Sequence, residues 1–103
     1  MFFHAVLMEL SDTSPEFIAQ VDSYTDRVRA ELPYVRNYHF GPNVASRAGQ
    51  YRWVVIATFD TEADHERYQV SEVHTQMKRF MGPHIADIVV CDVDTSEMEN
   101  RDV

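Results

Sequence analysis

Cysteine is almost missing from this chain: Cys91 is the only one in 103 residues. A lone thiol excludes an intrachain disulfide and a cysteine-ligated metal cluster. It fits a reducing compartment, so a cytoplasmic protein is expected. Basic residues are scarce too, with 9 Lys and Arg against 17 Asp and Glu and a formal net charge of −8. Such a chain lacks the cationic surface that holds nucleic acid or anionic membrane, and neither is expected as a partner. The three glycines build no phosphate-cradling loop, no dinucleotide fingerprint and no Gly-x-Ser-x-Gly elbow. Nucleotide, flavin and nicotinamide chemistry find no support, and no cofactor is expected. No apolar run is long enough to span a bilayer. The apolar segment from Met1 to Leu10 carries Glu9 and lacks a basic leader and a small-residue cleavage site. It reads as a strand, not a signal peptide.

What is present is apolar and aromatic. Hydrophobic residues make up 45% and aromatics 12%, enough to argue against disorder. The length predicts one domain. A first strand is expected over Phe2 to Leu10. Ser14 and Pro15 then suit the cap and first position of a helix. Phe17, Val21, Tyr24, Val28 and Leu32 make one apolar helical stripe, and Pro33 stops it. Strands follow at Tyr34 to Phe40 and Tyr51 to Asp60, with a polar loop between. Thr61 and Asp64 open a second helix in the manner of a capping box. A last strand is expected over Ile85 to Val93. The domain is assigned to residues 1–94 and a polar, frayed tail to 95–103. The order strand, helix, strand, strand, broken helix, strand is the ferredoxin-like βαββαβ pattern of an α+β fold. It implies a four-stranded antiparallel sheet with helices on one face.

Strand parity predicts a partner. Trp53, Val55, Ala57 and Phe59 point to one side of the third strand, and Val54, Ile56 and Thr58 to the other. In the last strand Ile85, Val89, Cys91 and Val93 oppose Ala86, Ile88 and Val90. Both sides are apolar, whereas a sheet with one wet face alternates apolar and polar residues. Helices cover one face only. A second copy of the same sheet would cover the other, so a homodimer packed face to face is expected. Cys91, with no basic neighbour, reads as a buried, inert thiol.

Tyr68 and His74 are the residues that point to chemistry. A phenol and an imidazole are common parts for moving protons on and off a carbonyl substrate. On one continuous helix, residues six apart lie about 240° apart, at roughly 100° per residue, and could not converge. Ser71 is a natural N-cap, and a break there makes His74 the third residue of a new helix. That place disfavours imidazolium through the helix dipole, while Glu72 nearby favours it. Val73, Met77 and Phe80 form the apolar stripe of this last helix, and Gly82-Pro83 ends it. The alternative is that His74 and Tyr68 only pack. His4 shares parity with Phe2, Val6 and Met8. His39, His65 and His84 stand at element edges with no metal-site spacing. Asp92 and Asp94 read as surface carboxylates, so no metal is expected.

Several short segments, taken in order, resemble the stress-responsive A/B barrel family (Dabb), whose members are dimeric α+β barrels. They are Phe3-His4-Ala5-Val6-Leu7-Met8, Leu32-Pro33, Gly41-Pro42-Asn43, Phe59-Asp60-Thr61, Tyr68 with His74, and Asp87-Ile88-Val89-Val90-Cys91-Asp92. The resemblance covers nearly the whole chain. It implies a homodimer in which two four-stranded sheets close a barrel, each chain keeping a cleft between sheet and helices. Plant polyketide cyclases of the olivetolic acid cyclase type belong to that family and close a linear polyketide by aldol condensation. By that likeness His74 matches the general base, Tyr68 the tyrosine that orients the substrate, and His4 a histidine common at the start of members, taken as substrate-binding. Members often carry His-Pro where this chain has Ser71-Glu72, so the helix break rests on Ser71. His65 stands where an apolar residue is usual. The function expected is binding of a small apolar or carbonyl-containing metabolite, with polyketide cyclase-like activity. The alternatives are a non-catalytic stress-response or ligand-binding barrel and a cofactor-free monooxygenase of similar fold.

Overall fold

The computed structural model describes residues 1–96. Strand β1 (Phe2–Leu10) leads into helix α1 (Pro15–Glu31), then strands β2 (Val35–Pro42) and β3 (Trp53–Phe59). Helices α2 (Glu62–Gln69) and α3 (Glu72–Met81), a 3-10 turn at Gly82–His84 and strand β4 (Ile85–Asp94) follow. The sheet order is β2-β3-β1-β4, and every neighbouring pair is antiparallel. This is the ferredoxin-like α+β arrangement expected from the element order. The tail expected over 95–103 lies outside the described residues from 97 onward; Thr95 itself donates its backbone N–H to the Met1 carbonyl at 2.9 Å.

Local side-chain chemistry sets the helix starts. Ser14, Thr61 and Ser71 each accept a backbone N–H from three residues on, at 3.3, 3.2 and 3.3 Å. The loop before β3 closes at Gly49, whose φ of 60° lies in the left-handed region that glycine enters without steric cost. Arg29, in the last turn of α1, donates Nε–H to the Tyr38 carbonyl at 2.9 Å and ties the helix to β2.

The core fills the space between the helices and one sheet face. Phe2, Met8, Val55, Ala57, Phe59 and Tyr38 from the strands meet Phe17, Val21, Val28, Tyr68, Val73 and Met77 from the helices. Within the stripe of α1, Tyr24 is half-buried and Thr25 is buried instead. Its hydroxyl bonds the Asp22 carbonyl at 2.8 Å, which satisfies the polar atom where it is covered.

Among the described residues, nothing covers the second sheet face. Phe3, Ile56, Val89 and Val93 on it are 41%, 48%, 43% and 37% exposed. The register joins them: Ala5 lies between Ile56 and Cys91, and Leu7 between Val54 and Val89. Cys91 is exposed on this face of the single chain, against the expectation of a buried thiol. On β4 the cleft-side residues Ile88 and Val90 remain 46% and 53% exposed. A register shift between Glu9 and Leu10 sets Glu9 opposite Asp87 and Leu10 opposite Ile85. This bulge moves Ile85 to the same side as Ile88 and Val90, so Ile85 does not share a face with Val89, Cys91 and Val93 as simple alternation predicted.

Candidate active site

The break between α2 and α3 occurs at Ser71, and it brings Tyr68 and His74 together. The Ser71 hydroxyl accepts the His74 backbone N–H at 3.3 Å and donates to the Tyr68 carbonyl at 2.7 Å. One side chain therefore ends one helix and begins the next. The two rings then touch, with centroids 4.3 Å apart and planes at 50°. Glu72 is the first residue of α3, as the cap predicts.

Both rings line one cavity of about 230 Å³. Its walls are mainly apolar: Val6, Met8, Val55, Met77, Ile85 and Val90 contribute, and His4, Tyr38, Gln69 and Lys78 add polar atoms. Ile88 and Val90, also on its wall, are exposed. A concave, apolar pocket with a few converging polar groups is the usual form of a small-molecule site.

The tautomer of His74 follows from its partner. Nδ1 lies 3.1 Å from the Gln69 carbonyl, an acceptor only, so Nδ1 carries the proton and donates it. Nε2 is left with its lone pair. Burial pulls the His74 pKa down from 6.5 to about 4. The Gln69 carbonyl opposes that shift, and Lys78, His4 and His65 add to it. The ring is therefore neutral at pH 7.

Tyr68 does not stand alone. Its hydroxyl lies 2.8 Å from that of Tyr38, and the Tyr38 hydroxyl reaches Met77 Sδ at 3.5 Å. Burial raises the Tyr38 pKa to about 12 and pushes that of Tyr68 up as well, with Tyr38 adding to the second shift. Both stay protonated and can only pass hydrogen bonds along. Met77 Sδ can only accept, so the single Tyr38 proton goes either to it or to Tyr68, and only in the second case is Tyr68 free to donate into the cavity. Tyr38 was missed from sequence, because a lone tyrosine in a strand carries no signal for what it faces.

His4, the third expected site residue, is buried on the cavity wall. Its Nδ1 lies 2.5 Å from Asp92 Oδ1, across the β1–β4 register that pairs the two residues. His65 was set aside as an edge residue. It is buried at 7% exposure, with its ring centroid 4.5 Å from that of His4.

A family model for the stress responsive A/B barrel domain matches residues 2–95. The chain belongs to the stress-responsive A/B barrel (Dabb) family. Solved structures agree on the fold. A dimeric ferredoxin-like protein of unknown function from Thermobifida fusca YX is 29% identical, with a TM-score of 0.76 over 89% of this chain and 88% of that one. A hydroxynitrile lyase from Passiflora edulis is 20% identical, with a TM-score of 0.77 over 89% and 90%. An antibiotic biosynthesis monooxygenase is 17% identical, with a TM-score of 0.68 over 91% and 97%. No curated protein matches the sequence. Among the described residues no helix of this Dabb chain is long and apolar enough to cross a membrane.

Proposed function

We propose that this Dabb protein binds a small, largely apolar, carbonyl-bearing metabolite and that His74 acts on it as general base, as in polyketide cyclases. The observation that carries the reading is the His74 ring itself. It is held neutral, with Nδ1–H given to the Gln69 carbonyl, against Tyr68 on the wall of an apolar cavity. Nε2 would take a proton from a carbon beside a carbonyl, and the enolate would attack a second carbonyl of the same molecule. Tyr68, supplied with a hydrogen bond by Tyr38, would stabilise the oxygen on which charge grows. The apolar walls would fold the chain into a reactive shape. A base with a pKa of about 4 is well below the value best suited to pH 7. It is better matched to a carbon acid made more acidic by two flanking carbonyls, as in a 1,3-dicarbonyl compound, than to a simple ketone. The cavity of about 230 Å³ lies under the ~300–1,000 Å³ usual for ligand pockets and suits a compact molecule.

The protein is proposed to act as a homodimer in the cytoplasm. Its second copy would cover the exposed face around Phe3, Ile56 and Val89, and the similar Thermobifida protein is dimeric. Cys91, exposed on that face of the single chain, would be covered in the dimer.

A non-catalytic binding barrel is the second reading. It is favoured by the alternative arrangement in which Tyr38 donates to Met77 and Tyr68 spends its proton on Tyr38. Nothing in the cavity favours a monooxygenase beyond the shared fold. Deuterium exchange at the acidic carbon of a 1,3-dicarbonyl probe, followed by NMR, separates the two main readings. The wild type should speed exchange, and His74→Ala should lose about 10²–10⁴-fold of that rate, the usual share of general base catalysis. Equal rates in the two proteins would leave the non-catalytic reading.

A further inference from the structure

We infer that His4, His65 and Asp92 form a binding site for a divalent transition ion of the zinc and cobalt class. The three residues come from β1, α2 and β4 and are far apart in sequence, so no local spacing announces them. The fold brings one ligand atom of each within 4.8 Å of the other two. Two imidazoles and one carboxylate are a donor set that suits borderline metals and leaves a coordination position open for water.

The surroundings support capture of a cation. His4 and His65 are buried at 4% and 7% exposure, and the Asp92 side chain sits at the rim at 37%. Among the described residues, a shallow depression beside them is lined by Glu62, Glu66, Asp92 and Asp94 and by no lysine or arginine. That negative mouth draws cations inward. His65 Nε2 accepts a hydrogen bond from the Gln69 amide at 2.9 Å, so it already presents a lone pair.

The rearrangement needed is small. Zinc bonds of about 2.0–2.1 Å in a tetrahedron set ligand atoms roughly 3.3 Å apart, so the set must close by about 1.5 Å at its widest. Asp92, at the rim, can turn from the His4 ring toward the ion. The half-buried Gln69 amide can swing away from Nε2. The ion would then lie behind His4, whose ring centroid is 6.0 Å from that of Tyr68.

Cobalt(II) titration of the full chain after chelator treatment tests the site, since its ligand-field bands report coordination directly. One ion per chain is expected, with bands of low-coordinate nitrogen and oxygen ligation that zinc abolishes by competition. Asp92→Asn and His65→Gln should each weaken binding at least about 10-fold, the smallest loss seen when even an outer-shell partner is removed. Circular dichroism checks that each variant is folded. His39→Gln, His84→Gln and His74→Ala should bind as the wild type does. Since His74→Ala keeps the ion but loses the exchange activity, the two proposals fail separately. Absence of saturable binding at micromolar cobalt would overturn the inference. So would binding that survives in both Asp92→Asn and His65→Gln.

Discussion

Ser71→Ala is the perturbation that tests the local architecture most sharply. The hydroxyl makes two bonds, accepting from the His74 N–H at 3.3 Å and donating to the Tyr68 carbonyl at 2.7 Å. Loss of an N-cap costs about 1 kcal/mol. Loss of the second bond adds about 0.5 kcal/mol, the low end for a net hydrogen bond, because the Ser71 backbone N–H still reaches the Tyr68 carbonyl at 3.1 Å. The sum is about 1.5 kcal/mol, or roughly 6–12 °C in Tm for a domain of this size. Urea unfolding followed by circular dichroism measures it, at one fixed protein concentration because dimerisation would shift the midpoint. Ser71→Asp should recover most of the loss, since a carboxylate also caps. Glu72→Pro should stay within about 0.5 kcal/mol of wild type. Proline fits the first helical position, and Ser71 at φ −66°, ψ 152° is in the extended region that a following proline requires. A Ser71→Ala protein as stable as the wild type would refute the role given to the hydroxyl. A Glu72→Pro protein that loses several kcal/mol would refute the break itself.

Three further outcomes follow from the geometry. Tyr38→Phe leaves the buried Tyr68 hydroxyl without its partner, and should cost about 1–3 kcal/mol in chemical unfolding while slowing 1,3-dicarbonyl exchange. Ile56→Lys puts a charge in the middle of the exposed sheet face and should convert a sedimenting dimer to a monomer; a stable wild-type monomer at micromolar concentration would remove the dimer proposal. Stability should fall as pH drops from about 6.5 to about 4, because unfolded His74 takes up a proton at 6.5 and the folded ring only near 4. The difference corresponds to about 3 kcal/mol, reduced to about 2 kcal/mol by solvent reaching the ring from the cleft. His65, lowered in the same direction, adds to the slope, and His74→Ala should flatten it.

The parts of the structure readable from sequence are those set by neighbours in the chain. Ser14, Thr61 and Ser71 cap their helices because a side-chain oxygen three residues before a free N–H is a local fact. The two-sided apolar pattern of β3 likewise marked an uncovered face, on which Phe3 and Ile56 are exposed. What was not readable depends on contacts between distant elements. The β1–β4 register that sets His4 against Asp92 spans nearly the whole chain. Tyr38 meets Tyr68 only once β2 lies under α2, and His65 reaches His4 only through the docking of α2. The bulge that returns Ile85 to the cleft breaks the alternation on which parity reasoning depends. These long-range placements build most of the site, while the local rule at Ser71 supplies its one indispensable turn.

Nitrogen-15 NMR of the histidine rings, recorded across a pH titration of the wild-type chain, measures the state of His74 directly. The geometry predicts a ring protonated on Nδ1 alone at pH 7, with Nε2 free, and a titration midpoint near pH 4. A ring that carries its proton on Nε2, or that titrates near 6.5 like a free imidazole, would contradict the assignment of His74 as the base.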